Sequence, residues 1–116
     1  MGTAAPEKRA MQLNRVEVFA LHKLLQGNAQ VALTATAPSV RVLERVQTGA
    51  GFFSVIRLPR RLEVSSELRE RRWPFRLKRR RGAGYFVCWL EDSSLCLEAV
   101  IERGECPADL VPELFT

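Results

Sequence analysis

The sequence predicts an α+β fold in which an N-terminal helix packs on an antiparallel β-sheet of about five strands. Three observations lead to this prediction. Apolar residues recur at helical spacing after Asn14, β-branched residues dominate several later runs, and the last third holds two apolar runs separated by four polar residues. A chain of 116 residues that is 47% apolar has the size and composition of one domain. We therefore predict a flexible lead over residues 1–13 and a single α+β domain over residues 14–116.

The first predicted element is an amphipathic helix of about three turns. Asn14 and Glu17 have the spacing of a capping box, in which each side chain accepts a hydrogen bond from the other residue's backbone amide. Gly27 and Asn28 are typical of a helix end. Between these signals, the apolar residues at helical spacing are Val16, Ala20, Leu21, Leu24 and Leu25. A helix with one apolar face needs a partner surface, and the predicted sheet provides it.

Three β-branched runs after the helix predict an antiparallel meander. They cover residues 31–36, 40–46 and 52–58, and proline and glycine residues separate them. The pattern is weakest over residues 60–81, where a Trp-Pro pair at 73–74 interrupts any regular element. We expect that region to form a long excursion from the sheet.

The clearest unit is a hairpin over residues 85–90 and 95–101, in which a turn centred on Asp92-Ser93 pairs Leu90 with Leu95. Both of its faces are largely apolar. One face holds Phe86, Cys88, Leu90, Leu95, Leu97, Ala99 and Ile101, and the other holds Tyr85, Val87, Trp89, Cys96, Glu98 and Val100. Such a strand pair needs cover on both sides, so we expect the helix on one face. For the other face, the 60–81 excursion, the C-terminal tail and a second subunit all remain open.

Four short elements occur in an order that resembles a group of small bacterial α+β proteins. They are G-A-G-F-F at 49–53, G-A-G-Y-F at 82–86, L-E at 97–98 and G-E-C-P at 104–107. The resemblance spans roughly residues 15–115 and implies the same α+β fold. That group has no assigned activity, so the resemblance implies no function. This chain departs from the pattern at Arg103 and Cys106, where aromatic residues are usual, and in its arginine run.

Residues 69–81 read R-E-R-R-W-P-F-R-L-K-R-R-R and place eight cationic side chains in thirteen residues. Charge is uneven along the whole chain: residues 1–90 hold 17 Lys or Arg against 6 Asp or Glu, and residues 91–116 hold 1 against 7. The two parts can therefore partly neutralise each other, but the basic part also suits an anionic partner. The candidate polyanion-binding residues are Arg57, Arg60, Arg61, Arg69, Arg71, Arg72, Arg76, Lys78, Arg79, Arg80 and Arg81.

Two aromatic residues inside the arginine run have two alternative roles. Trp73 and Phe75 can stack on exposed bases while the arginines contact phosphates, as in proteins that bind RNA or single strands. Alternatively, the rings anchor the segment to the sheet, and the arginine stems cover apolar surface while their charged ends stay in water. The sequence leaves both alternatives open.

Metal, cofactor and catalytic signatures are weak. The three cysteines, Cys88, Cys96 and Cys106, lack the close paired spacing of a zinc site, and their odd number favours reduced thiols. Neither a nucleophile elbow nor a second histidine accompanies His22. We therefore predict no metal, no cofactor and no catalytic residue, although enzyme activity stays uncertain because carboxylates lie on or beside the hairpin. These are Glu91, Asp92, Glu98, Glu102 and Glu105.

The leading functional prediction is a non-enzymatic domain that binds a protein partner or a second copy of itself through its sheet. Its interface residues are Tyr85, Val87, Trp89 and Val100, and no small-molecule ligand is evident. The alternative is binding of nucleic acid or another polyanion through the arginine-rich region 57–81. Without a recognisable secretion signal or membrane span, we expect the protein to be cytoplasmic and not bound to membranes.

Overall fold

The structure, a computed structural model, describes residues 11–59, 69–92 and 94–116. Within these ranges it confirms an α+β fold, with two α-helices and a six-stranded antiparallel sheet where the sequence predicts about five strands. The elements are β1 (Met11–Gln12), α1 (Arg15–Leu24), α2 (Ala29–Ala35), β2 (Arg41–Thr48), β3 (Gly51–Arg57), β4 (Arg71–Arg76), β5 (Ala83–Glu91), β6 (Ser94–Arg103) and a 3-10 turn (Pro112–Leu114). The strand order across the sheet is β1-β2-β3-β6-β5-β4.

Helix α1 begins as predicted, with a complete capping box. The Asn14 side chain accepts a hydrogen bond from the Glu17 amide at 2.8 Å, and the Glu17 carboxylate accepts one from the Asn14 amide at 2.8 Å. These bonds satisfy two backbone donors that lack partners inside the helix. The predicted apolar face is buried against the sheet, and Ala20 and Leu21 are fully inaccessible to solvent.

The predicted strand over residues 31–36 is wrong, because residues 31–35 belong to helix α2 and Thr36 is its C-cap. The Asn28 side chain caps this helix by accepting a hydrogen bond from the Val31 amide at 3.1 Å. Val31 and Ala35 are buried at helical spacing, whereas Leu33 is 61% exposed. A strand would have placed all three residues on one face. A segment of seven residues is too short for its apolar spacing to distinguish a helix from a strand, and its β-branched residues favoured the strand.

Residues 71–76 also differ from the prediction, because they form the edge strand β4 and pair with β5. The Arg76 amide donates to the Thr116 carbonyl on the outer side of β4, at 3.0 Å. Pro74 lies two residues earlier, so its missing N–H belongs to the same outer side. Proline therefore does not interrupt pairing with β5, and the predicted interruption at 73–74 is wrong. The remainder of the predicted excursion, residues 60–68, lies outside the described residues.

The hairpin prediction is confirmed. Leu90 pairs with Leu95, and Asp92 in the turn has a φ of 55°, which suits a tight two-residue connection. Cys88 lies opposite Leu97 and Cys96 lies opposite Trp89, so the two cysteines occupy opposite faces as predicted.

Helix α1 and the C-terminal residues pack on the same face of the sheet. The Phe19 ring of α1 lies 6.1 Å from the Phe86 ring, and the Phe115 ring lies 4.9 Å from it. The predicted alternative in which the tail covers the second face is therefore wrong. We call that second face, which bears Phe53, Val87 and Glu98, the open face, because no helix among the described residues packs on it.

An ion pair between a buried carboxylate and a partly exposed arginine joins α1 to the sheet. The Glu17 carboxylate is fully buried and accepts bonds from Arg45 Nη2 at 2.6 Å, Arg45 Nε at 2.8 Å and the Ser54 hydroxyl at 2.6 Å. Arg45 and Ser54 are opposite each other on β2 and β3. The hydrogen bond and charge of Glu17 raise the pKa of Arg45 above its usual range. Four donors, counting the Asn14 amide, thus satisfy one buried carboxylate.

Replacing Glu17 with glutamine should lower the free energy of unfolding by about 3 kcal/mol, because Arg45 then keeps its charge without its partner. Urea denaturation measures the change. The control is Glu113→Gln, which removes the exposed partner of Arg15 and should leave stability unchanged. Similar midpoints for the two variants would contradict a structural role of this ion pair.

Gly84 approaches β6 so closely that no side chain fits. A Cβ at Gly84 would lie 1.9 Å from the Val100 carbonyl oxygen, whereas a Cβ at Gly49 would contact nothing within 4 Å. We expect Gly84→Ala to destabilise the protein by about 2 kcal/mol or more, because the backbone of β6 must shift. Gly49→Ala should be neutral or slightly stabilising. Thermal or urea unfolding that ranks the two variants equally would contradict the close contact of β5 and β6.

Candidate anion-binding cleft

The turn between β4 and β5 is held tightly against the end of β6. The Leu77 amide donates to the Gly82 carbonyl at 3.0 Å, and Leu77, only 5% exposed, forms a bridge with Phe115. A Cβ at Gly82 would lie 2.6 Å from the Leu77 side chain and 3.1 Å from the Arg103 carbonyl oxygen. A small residue at position 82 therefore lets the turn and the end of β6 meet.

This junction forms a cleft of about 580 Å³, which we call the arginine cleft. Four exposed arginines line it, three from the end of β4 and its turn and one from the end of β6. Its lining residues are Arg76, Leu77, Arg80, Arg81, Gly82, Ala83 and Arg103. A neighbouring hollow of about 480 Å³ shares Arg76, Ala83 and Arg103 and extends to Thr116. Together they make a continuous cationic depression beside the sheet edge.

The cleft arginines form no ion pair within the described part of the chain. None of the four forms an ion pair with a carboxylate of residues 11–59, 69–92 or 94–116. Lys78 and Arg79 belong to the same turn and add to the positive field. Among the described residues that line the neighbouring hollow, Glu102 supplies an acidic side chain. Guanidinium groups stay protonated at all ordinary pH values, so their mutual repulsion is lowered by a bound anion.

Among the described residues, the other candidate polyanion-binding residues do not line the arginine cleft. Arg71 lies on the helix side of β4 and donates to the Leu24 carbonyl at the end of α1, at 3.1 Å. The Arg72 guanidinium lies 4.6 Å from the centre of the Tyr85 ring and 3.6 Å from Glu70. Arg57 ends β3 opposite Ser94, at the end of β6 away from Arg103. Arg69 is exposed, and Arg60 and Arg61 lie outside the described residues.

The sequence-based site omitted Arg103, although a usable signal exists. Extending the predicted Leu90–Leu95 register along the hairpin places residue 103 opposite residue 82, directly beside the arginine run. The structure has this arrangement with one irregularity, since Ala83 pairs with Arg103 and Gly84 with Ile101. The cleft therefore combines residues from distant parts of the sequence.

The two aromatic residues of the arginine run face the core. The Phe75 side chain is 3% exposed, and its ring lies 4.8 Å from Phe86 and 4.6 Å from Phe115. The Trp73 ring stacks on Phe86 at 5.9 Å. These contacts correspond to the anchoring alternative, and the buried Phe75 ring in particular is not placed to stack on a base. The other predicted interface residues, Tyr85, Val87, Trp89 and Val100, lie on the open face.

The hairpin carboxylates do not converge on one site. Glu91 and Asp92 belong to the turn between β5 and β6, Glu98 lies mid-strand on the open face, and Glu102 and Glu105 lie towards the far end of β6. Among the described residues, no three histidine, cysteine or acidic side chains are grouped so that they could hold a metal ion.

The Cys88 thiol is shielded from solvent on the helix side of the sheet. Burial raises the pKa of Cys88 to about 11, although Arg71 partly opposes the shift. Burial also raises the pKa of Cys96, with a further contribution from Glu91, and burial raises the pKa of Cys106. Raised values disfavour the thiolate, which is the nucleophilic form. The described surroundings of these cysteines therefore give no support to thiol catalysis.

The shift at Cys88 predicts a pH dependence of stability. Between pH 9.0 and 11 the unfolded chain releases a thiol proton that the folded chain keeps, so the free energy of unfolding falls as pH rises. The slope contributed by this residue approaches about 1.4 kcal/mol per pH unit in that window. Urea denaturation across this window should give a shallower slope for Cys88→Ala than for the wild type. Equal slopes would contradict the burial of the Cys88 thiol.

Comparison with known proteins finds no matching family model, no matching curated protein and no matching solved structure. The resemblance noted from the sequence therefore stays a prediction. None of the helices in the described residues is long and apolar enough to span a membrane.

Proposed function

We propose that the protein is a non-enzymatic, cytoplasmic nucleic-acid-binding protein that holds phosphate groups in the arginine cleft. One observation carries the proposal: four arginines from two separate strands and a turn line one cleft without an ion-paired carboxylate among the described residues. Arginine presents a planar fork of N–H donors that matches two phosphate oxygens at once. Several such forks in one depression favour a ligand with several phosphates.

The chemistry of the cleft favours a polyanion over a protein partner at this location. Among the described residues that line the cleft, only Leu77 contributes a large apolar side chain, and it is already buried against residue 115. Protein interfaces usually have an apolar centre from which charged residues are depleted. The arginine cleft has the opposite composition, with charge at the centre and small residues between the charges.

The position of the aromatic residues indicates how nucleic acid would be recognised. Phe75 is buried and Trp73 packs against Phe86, so this segment offers little surface for base stacking. Phosphate contacts fix the position of a nucleic acid but carry no sequence information. The proposed binding is therefore strongly salt-dependent and nearly independent of base sequence.

Replacing Arg80 and Arg103 together with glutamine should weaken nucleic-acid binding by at least about tenfold, because two charge-assisted contacts are lost. Fewer counterions are then released on binding. The slope of log affinity against log salt concentration should fall in magnitude by about 1.4 for single strands and about 1.8 for duplexes. Fluorescence anisotropy with both kinds of oligonucleotide at two salt concentrations measures affinity and slope.

The matched control replaces Arg41 and Arg57 with glutamine. These two arginines are paired across β2 and β3, at the end of the sheet away from Arg103, and their loss changes the net charge equally. We expect the control to retain most of the wild-type affinity and slope. Equal losses in both double variants would indicate a diffuse charge effect and contradict the cleft. No wild-type binding at low salt would exclude the proposed function.

A further inference from the structure

The open face carries an ordered charge pattern at its centre. The strand register places Arg72 of β4, Val87 of β5 and Glu98 of β6 side by side across the sheet. Neighbouring strands are about 4.8 Å apart, so Arg72 and Glu98 flank Val87 at equal steps. One line across the sheet thus reads cation, apolar residue, anion.

An apolar surface surrounds this line. The Phe53 and Trp89 rings are 6.1 Å apart, and Tyr85 lies beneath the Arg72 guanidinium. Val87 is 5% exposed and forms the floor of a shallow groove of about 280 Å³. The groove is lined by Glu70, Arg72, Tyr85, Val87, Trp89 and Glu98. Tyrosine, tryptophan and arginine are the residue types most enriched at protein interfaces.

The two charges are available to a partner. Glu98 is half-buried and forms no ion pair within the described part of the chain. Arg72 reaches Glu70 at 3.6 Å, but both of these side chains are more than half exposed, with 59% and 62% of their surface accessible. Exposed ion pairs of this kind contribute little, so Arg72 can exchange Glu70 for a better-shielded carboxylate at small cost.

We propose that a second copy of this chain packs on the open face around a two-fold axis at Val87, so that Arg72 of each copy faces Glu98 of the other. A two-fold interface requires a surface that complements itself. The axis lies in the interface and runs along β5 above Val87. A half-turn about it places Arg72 of one copy over Glu98 of the other, which gives two identical ion pairs over a shared apolar centre. Tyr85 and Trp89 lie beside that axis and become buried.

Charge reversal tests this pairing. In Arg72→Glu the two contacts become carboxylate against carboxylate, and in Glu98→Arg they become arginine against arginine. Each variant alone should raise the dimer dissociation constant by at least about a hundredfold, because like charges face each other twice. Mixing the two variants restores opposite charges at both contacts and should give a heterodimer. Sedimentation velocity across micromolar concentrations distinguishes these states.

The control is Arg15→Glu, which reverses an exposed charge on α1 and should dimerise as the wild type does. Circular dichroism and urea denaturation check that all variants fold. Dimeric wild type, monomeric single variants and a dimeric mixture together support the proposal. A monomeric wild type overturns it, as does a single variant that dimerises normally or a mixture that stays monomeric. Neither Arg72 nor Glu98 lines the arginine cleft, so the outcome is independent of nucleic-acid binding.

Discussion

The ion pair of Glu17 and Arg45 sets the position of α1 on the sheet. Glu17 belongs to the first turn of the helix, while Arg45 and Ser54 belong to neighbouring strands, so one carboxylate ties a helix start to two strands. Removing a charged group from water is costly, and the cost is offset only while all four donors remain in place. This requirement favours a single orientation of α1. Both ends of the described chain then contribute to the same face of the sheet.

The orientation of α1 in turn determines which side of the sheet each residue of the arginine-rich stretch faces. Phe19 projects from α1 towards the aromatic cluster of Trp73, Phe86 and Phe115, so alternate residues of β4 are drawn to the helix side. Because a strand alternates its side chains, Arg72 projects from the other side. Beyond β4 the chain turns, so the remaining cations no longer alternate between the two faces of the sheet. A run that looks uniform in the sequence thus divides into a helix-capping arginine, an open-face arginine and the arginine cleft.

Local signals predicted the parts of the fold that depend on neighbouring residues. The capping box at Asn14 and the hairpin register at Leu90 involve contacts within a few residues, so the sequence alone determined them. Helix α2 has only seven residues, so burial of Val31 and Ala35 against residues distant in the sequence, not its local pattern, determined that it is a helix and not a strand. The identity of β4 depended on where Pro74 directs its missing N–H, which is known only once the sheet order is known. The predicted hairpin register places residue 103 beside the arginine run in space. Arg103 was nevertheless omitted because it is distant from that run along the sequence.

The two proposed surfaces are neighbours on β4, because Arg72 and Arg76 are four residues apart and project to the same side of the sheet. In a dimer around Val87, the two-fold axis relates two arginine clefts. A polyanion long enough to reach both clefts would bind the second cleft intramolecularly, at a high effective concentration, and would therefore bind the dimer more tightly than a single cleft. A short polyanion would occupy one cleft only. By mass action, the long ligand would also stabilise the dimer. Self-association and phosphate binding would then reinforce each other, although they depend on different residues and different physical forces.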